Sequence, residues 1–151
     1  MTLRLLSVVN AVPTILFRVN LGVLFGRRFL MITTRGRKTG MVRRSVVEVV
    51  ENDDSRNAWT VFAAHGPGTG WYRNATSGGP VVITIGRRRF LATVDDLDRE
   101  ARLAVLGRYQ TAHPRTAALL GRAVLGQEFS AAAGSLESLA DGLRCLRFTP
   151  R

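Results

Sequence analysis

From residue 29 onward the chain runs through short β-branched segments separated by turn signals, and these strands are not interleaved with helices. That order constrains the fold most, because a doubly wound parallel sheet needs a crossover, usually a helix, between its strands. Phe29–Arg35 (FLMITTR) reads as a strand, Gly36-Arg37-Lys38-Thr39-Gly40 as a turn, and Arg43–Glu51 (RRSVVEVVE) as a second strand that completes a hairpin. Glu51–Asn57 is a polar turn and Ala58–His65 (AWTVFAAH) a third strand. Gly66-Pro67-Gly68-Thr69-Gly70 reads as a loop, because such a density of glycine and proline fits no regular element. Trp71–Thr76 gives one or two helical turns, and Pro80–Ile85 and Arg88–Val94 form a second hairpin around Gly86-Arg87.

The period then becomes helical. Asp95 or Asp96 is expected to cap a helix reaching about Thr111, with Leu97, Ala101, Ala104, Val105 and Tyr109 on one face. Pro114 opens another helix that ends at Gly126, a short helix follows from Ser135, and Leu143–Thr149 (LRCLRFT) is a final strand. At 151 residues the chain holds one core. The expected class is α+β, mainly β: a small barrel of about six mostly antiparallel strands with N-terminal, connecting and C-terminal helices. Residues 1–27 form a separate amphipathic segment before the barrel domain of residues 28–151, with Leu5, Val8, Val9, Val12, Leu16, Val19 and Val23 at helical spacing and an interruption near Pro13. The opening resembles a signal peptide only superficially. Its apolar run is too short to span a bilayer and carries no cleavage pattern. Either this helix packs on the domain, or it lies on a membrane surface with Arg4, Arg18, Arg27 and Arg28 at the headgroups.

Composition matters here through charge. The formal net charge is +11, and Lys38 is the only lysine among 22 basic residues. Every position before Glu48 is free of acid, whereas residues 48–100 are close to neutral. A polyanionic ligand, nucleic acid or an anionic membrane therefore becomes an option for the N-terminal third. Cys145 is the only cysteine, so no internal disulfide forms, which fits a reducing cytoplasm. The two histidines, His65 and His113, and that cysteine lack metal-ligand spacing, which argues against a structural zinc site.

The segment RGRKTGMVRR (Arg35–Arg44) places five positive charges on or beside a hairpin turn. Gly36 and Gly40 let the backbone approach an anion, Thr39 adds a hydroxyl, and the arginine forks suit phosphate or carboxylate oxygens. It is not a P-loop, because the turn joins strand to strand. A solvated hairpin tip is the bland reading. Gly66–Gly70 lacks the dinucleotide fingerprint, and its amides could face a flat ring or simply make a tight connection. Trp71 and Tyr72 are either core aromatics or a stacking wall. No spacing places a nucleophile beside a base, and Asp95, Asp96, Asp98 and Glu100 read as helix N-terminal charges.

TTRGRKTGMVRR (Thr33–Arg44), VFAAHG (Val61–Gly66), WYRN (Trp71–Asn74) and VVITIGRRRFLATV (Val81–Val94), in this order, resemble the deazaflavin-dependent nitroreductase family. That resemblance implies a flavin-binding type of split β-barrel and the reduced deazaflavin coenzyme F-420, with FMN or haem in the same barrel as the alternative. It implies that Arg37, Lys38, Thr39, Gly40 and Arg43 bind the cofactor's phosphate and anionic tail. Ala63, Ala64 and His65 would line the ring, and Trp71, Tyr72 and Asn74 would close the site. Hydride would come from the cofactor, so the protein would bind, orient and exclude water, with no side chain catalytic in itself. Tyr109 and His113 are the comparable substrate-side candidates. The resemblance implies a reductase of a small hydrophobic acceptor, such as an activated C=C bond, quinone or nitro compound. The competing class is a non-catalytic anion- or membrane-binding module. Nucleic acid is disfavoured, because neither a basic–aromatic RNA platform nor a helix-turn-helix pattern is present. Monomer and homodimer both remain open.

Overall fold

The computed structural model describes residues 27–64, 66–118 and 133–151. Among them are six strands, β1 (Phe29–Arg35), β2 (Val42–Asp53), β3 (Ala58–Ala63), β4 (Val81–Ile85), β5 (Arg88–Asp96) and β6 (Arg144–Pro150). They close into a barrel in the order β1-β2-β3-β6-β5-β4. Every pair is antiparallel. Closure leaves no unpaired edge, which is how a chain of short antiparallel strands satisfies its backbone. The mainly β, α+β architecture is the one the strand order demands.

The two-residue side-chain period builds the interior. Leu30 and Ile32 of β1, Trp59, Val61 and Ala63 of β3, Val81, Ile83 and Ile85 of β4, and Leu146 and Phe148 of β6 share one buried cluster. Each of the larger aliphatic or aromatic side chains contributes about 1.5–3 kcal/mol by leaving water. Alternate residues face outward and build a second cluster under the helices. There Phe62 of β3 and Cys145 of β6 meet Val105, Leu106 and Tyr109 of α2 (Arg99–Ala112) and Leu139 and Ala140 of α3 (Ala133–Gly142). A bulge between Val49 and Glu51 shifts the register of β2 against β3. The extra residue bends this long strand around the barrel, as bulges do. It leaves Val50 packed in the outer cluster and Glu51 reaching Arg108 of α2, whose Nε donates to Oε1 at 2.6 Å.

Several elements differ from expectation. The glycine-rich stretch is not irregular: Gly66–Gly68 forms a single 3₁₀ turn and Gly70 already begins a short helix, α1 (Gly70–Ala75). The turn is closed by Thr69, whose N–H and Oγ1 both donate to the Gly66 carbonyl, at 3.2 and 2.9 Å. Gly66 has φ +73, and a Cβ there would stand 2.8 Å from the Gly142 carbonyl at the end of α3. Here glycine is required by both conformation and space. The third strand stops at Ala63, while the second runs on to Asp53. Neither Asp95 nor Asp96 caps α2. Both belong to β5, where they pair with Arg147 and Leu146 of β6, and Asp98 is the N-cap, accepting from the Ala101 N–H at 2.9 Å. Strand pairing overrides the capping preference of the first two aspartates. The buried face of α2 is Val105, Leu106 and Tyr109, with Ala104 exposed.

Residues 114–118 are helical, beginning at Pro114 as expected. The expected helix over residues 1–27 lies almost wholly outside the described residues, as do His65 and the stretch running to Gly126. No helix among the described residues is long and apolar enough to cross a membrane.

Candidate functional site

The β1–β2 register, from Phe29↔Glu48 to Arg35↔Val42, makes the chain reverse between Gly36 and Met41. The reversal is tied by two backbone bonds: Gly36 N–H donates to the Met41 carbonyl and Gly40 N–H to the Gly36 carbonyl, each at 2.8 Å. Gly40 has φ +66, a conformation that side chains rarely adopt, and it opens onto free space. A Cβ at Gly36 would lie 2.8 Å from Thr39 Oγ1. Thr39 in turn accepts from the Met41 N–H at 3.3 Å, and Arg35 donates to the Gly40 carbonyl at 3.3 Å. The turn is thus internally braced, and its cations point to solvent. Among the described residues, the ion-paired acids find their partners elsewhere: Glu48 with Arg28, Glu51 with Arg108 and Arg147, Asp53 with Arg56, Asp54 with Arg27, and Asp141 with Arg99. Among the described residues, none of Arg37, Lys38 and Arg43 has a carboxylate partner.

α1 stands against this turn. Its Tyr72 and Ala75 are buried in the barrel cluster and Trp71 packs partly against it. Gly70 and Asn74, four residues apart and so on one face, turn toward the basic hairpin. Asn74 Oδ1 lies 3.5 Å from the Arg37 N–H, a long hydrogen bond. Together Gly36, Arg37, Lys38, Thr39, Arg43, Gly70 and Asn74 line an open cleft of about 230 Å³. Four of the five residues of the basic turn assigned to an anionic tail therefore meet Asn74 in one place. Gly40 shapes the turn without lining the cleft. Gly36, expected to let the backbone approach an anion, lines the cleft, and so does Gly70, the last glycine of the Gly66–Gly70 stretch.

The remaining candidates are placed differently. Ala63 is buried in the barrel cluster, with its side chain turned inward, and Ala64 follows it in a half-buried turn. His65 lies outside the described residues. Tyr72 donates its O–H to Asp96 Oδ2 on β5. Burial, and then the bond and charge of Asp96, hold its phenol above the ordinary value, so the hydroxyl keeps its proton. Tyr72 is thus largely buried, with its hydroxyl anchored to β5. Tyr109 and His113, with ring centroids 5.4 Å apart, line a separate cavity of about 290 Å³ with Arg28 and Glu48. Because Arg28 adjoins the start of β1, this cavity is near the opposite end of the β1–β2 hairpin from the basic turn, roughly 20 Å along the strands.

The cleft can hold an anion, and it offers no acid–base pair. The Thr39 hydroxyl, three cations and the absence of any lining carboxylate are a donor set of the kind that suits phosphate or carboxylate oxygens. No group of three metal-ligating side chains exists among the described residues. Cys145 is buried, and desolvation pushes its thiol up to about 12, so it is no nucleophile.

Comparison with known proteins places this geometry. Residues 17–119 match the F-420H(2)-dependent quinone reductase family. Among solved structures, an F-420-H2 dependent reductase, FDR-A, is similar over 82% of this chain and 95% of its own, at 18% identity and a TM-score of 0.54. A protein described as a domain-swapped dimer matches over 82% and 81% of the two chains, also at 18% identity and a TM-score of 0.54. A pyridoxamine 5'-phosphate oxidase-related, FMN binding protein from Nostoc punctiforme matches over 93% and 78%, at 13% identity and a TM-score of 0.53. At such identities these likenesses speak to the barrel alone. No curated protein sequence is significantly similar to the chain. The family match covers residues 17–119, two thirds of the chain, and spans both the basic turn and α1; on that ground the chain belongs to the F-420H(2)-dependent quinone reductase family.

Proposed function

We propose that the protein is a reductase that binds reduced F-420 through the basic cleft and passes a hydride to a small hydrophobic acceptor, such as an activated C=C bond, a quinone or a nitro compound. The observation that carries this reading is the cleft itself, where Arg37, Lys38 and Arg43, without a carboxylate partner among the described residues, face Gly70 and Asn74 within the segment that matches the family. Its donor set fits an anionic tail: guanidinium forks and one ammonium, a hydroxyl, and no carboxylate to repel phosphate. When bound, the cofactor supplies the hydride, so the protein's share is placement and exclusion of water. Arg37, Lys38 and Arg43 would neutralise the phosphate and carboxylates, while Thr39 and Asn74 would fix their orientation. Ala63, Ala64, His65 and Trp71 are the residues proposed for the ring side. Tyr109 and His113 are proposed to contact the acceptor only if it reaches the far cavity.

Titration with F-420, read by fluorescence, tests the reading, with FMN titrated in parallel. Saturable F-420 binding that weakens with salt supports it. Binding of FMN alone would make this a flavin protein, and binding of neither would leave a non-catalytic anion-binding module. A membrane role for residues 1–27 is tested separately by sedimentation with anionic vesicles, comparing the full chain with one lacking residues 1–25.

A further inference from the structure

Asp96 sits at the last position of β5, held there by pairing with Leu146 of β6. Beyond it the Leu97 N–H donates to the Cys145 carbonyl at 3.0 Å, so the backbone around Asp96 is fixed to the barrel on both sides. Its carboxylate is exposed, yet it accepts the hydroxyl proton of Tyr72, a residue that is 8% exposed and belongs to α1. The other charged group felt by that hydroxyl is the Arg144 guanidinium, which donates to the Leu143 carbonyl at 3.0 Å. α1 is too short to be stable by its own backbone bonds. Its position depends on what its side chains hold, and the Tyr72 hydroxyl ties this helix to a barrel strand through Asp96. Two residues further on, Asn74 reaches the Arg37 N–H in the basic turn, and Gly70 completes the same cleft wall.

We propose that Asp96 is a positioning residue for the anion cleft: through Tyr72 it sets where α1, and with it Gly70 and Asn74, stands against the basic turn. The effect on the cofactor rests on the functional reading above, whereas the placement of α1 does not. An acid that the sequence pattern assigns to a helix N-terminus thereby acts on a site it does not line. Losing the bond leaves the Tyr72 ring packed in the barrel, so the helix shifts or frays while the barrel persists.

Three variants separate the possibilities: Asp96→Ala, which removes the acceptor; Asp96→Asn, which keeps an acceptor oxygen without the charge; and Tyr72→Phe, which removes the donor. Hydrogen exchange of the amides of residues 70–76 and of Arg37 is measured on the ligand-free protein, and F-420 affinity by fluorescence. Asp96→Ala and Tyr72→Phe should both speed exchange in α1 and at Arg37, with strand amides unchanged, and weaken F-420 binding by about five- to tenfold. Asp96→Asn should restore both readouts to within about twofold of the parent protein. Unchanged α1 exchange in Asp96→Ala and Tyr72→Phe overturns the proposal, and so does Asp96→Asn behaving like Asp96→Ala. If the parent protein binds no F-420, the functional reading fails on its own, and the exchange data still decide the role of Asp96.

Discussion

Removing Lys38 and Arg43 together gives the sharpest test of the cleft, because both line it, both are exposed, and neither is paired with an acid among the described residues. Two unit charges 4 Å apart attract by about 1 kcal/mol in bulk water and about 4 kcal/mol at the dielectric of a protein surface. Exposure favours the lower end, so each cation facing a phosphate or carboxylate contributes about 1–1.5 kcal/mol. The pair should then contribute about 2–3 kcal/mol, or about 30- to 150-fold in Kd. The measurement is F-420 fluorescence titration of Lys38→Ala/Arg43→Ala at physiological ionic strength and again at high salt, where the gap from the parent protein should narrow. Arg87→Ala/Arg89→Ala is the matched control. It deletes the same charge from the β4–β5 turn and strand, at the other end of the barrel, where Ile85↔Arg88 closes the hairpin. That end is roughly 20 Å away by strand rise and beyond the Debye length of about 8 Å. Affinity within threefold of the parent for the cleft pair, or an equal loss for the distant pair, would refute an address for the charge and leave only its sum.

Gly66→Ala should lower stability by about 1–3 kcal/mol in urea unfolding, since φ +73 and the Gly142 carbonyl both exclude a side chain, whereas Gly68→Ala, with nothing near its Cβ, should not. Asp98→Ala should lower stability by about 1 kcal/mol through loss of the α2 cap, which thermal unfolding will show, and Asp95→Ala should leave α2 intact. Cys145 should resist thiol reagents at pH 8 until the protein is unfolded. Its folded value is raised above the unfolded one, so the unfolded chain loses that proton first, and this group's contribution to stability falls as pH rises from about 9 toward 12.

The strands were legible because their signal is local: Phe29–Arg35 runs between the same residues in sequence pattern and structure, and the Gly86-Arg87 hairpin closes where the glycine, at φ +56, places it. The basic turn was equally plain, since charge and glycine sit together in RGRKTG. What local pattern could not carry was competition from partners distant in sequence. Asp95 and Asp96 look like caps until β6, about fifty residues later, claims them as strand. Gly66–Gly70 looks irregular until the end of α3 is seen packed against Gly66. Tyr72 had two readings, wall or core, and its bond to Asp96, 24 residues later, is visible in no local pattern. The separation of Tyr109 and His113 from the cleft is likewise a matter of where α2 crosses the sheet, which no spacing in the chain encodes.

The strand order places β6 between β3 and β5. The barrel therefore stays open until residues 144–150 are in place, and Trp59 waits for Phe148 across most of the chain. Folding of such a ring is dominated by late, long-range pairing, which is slow relative to hairpin formation. During synthesis, or after clipping near Gly142, β3 and β5 would each present a bare edge able to accept a strand from a second copy. The last strand is the keystone of the ring, and the interval before it arrives is when this protein is most exposed to aggregation and strand exchange.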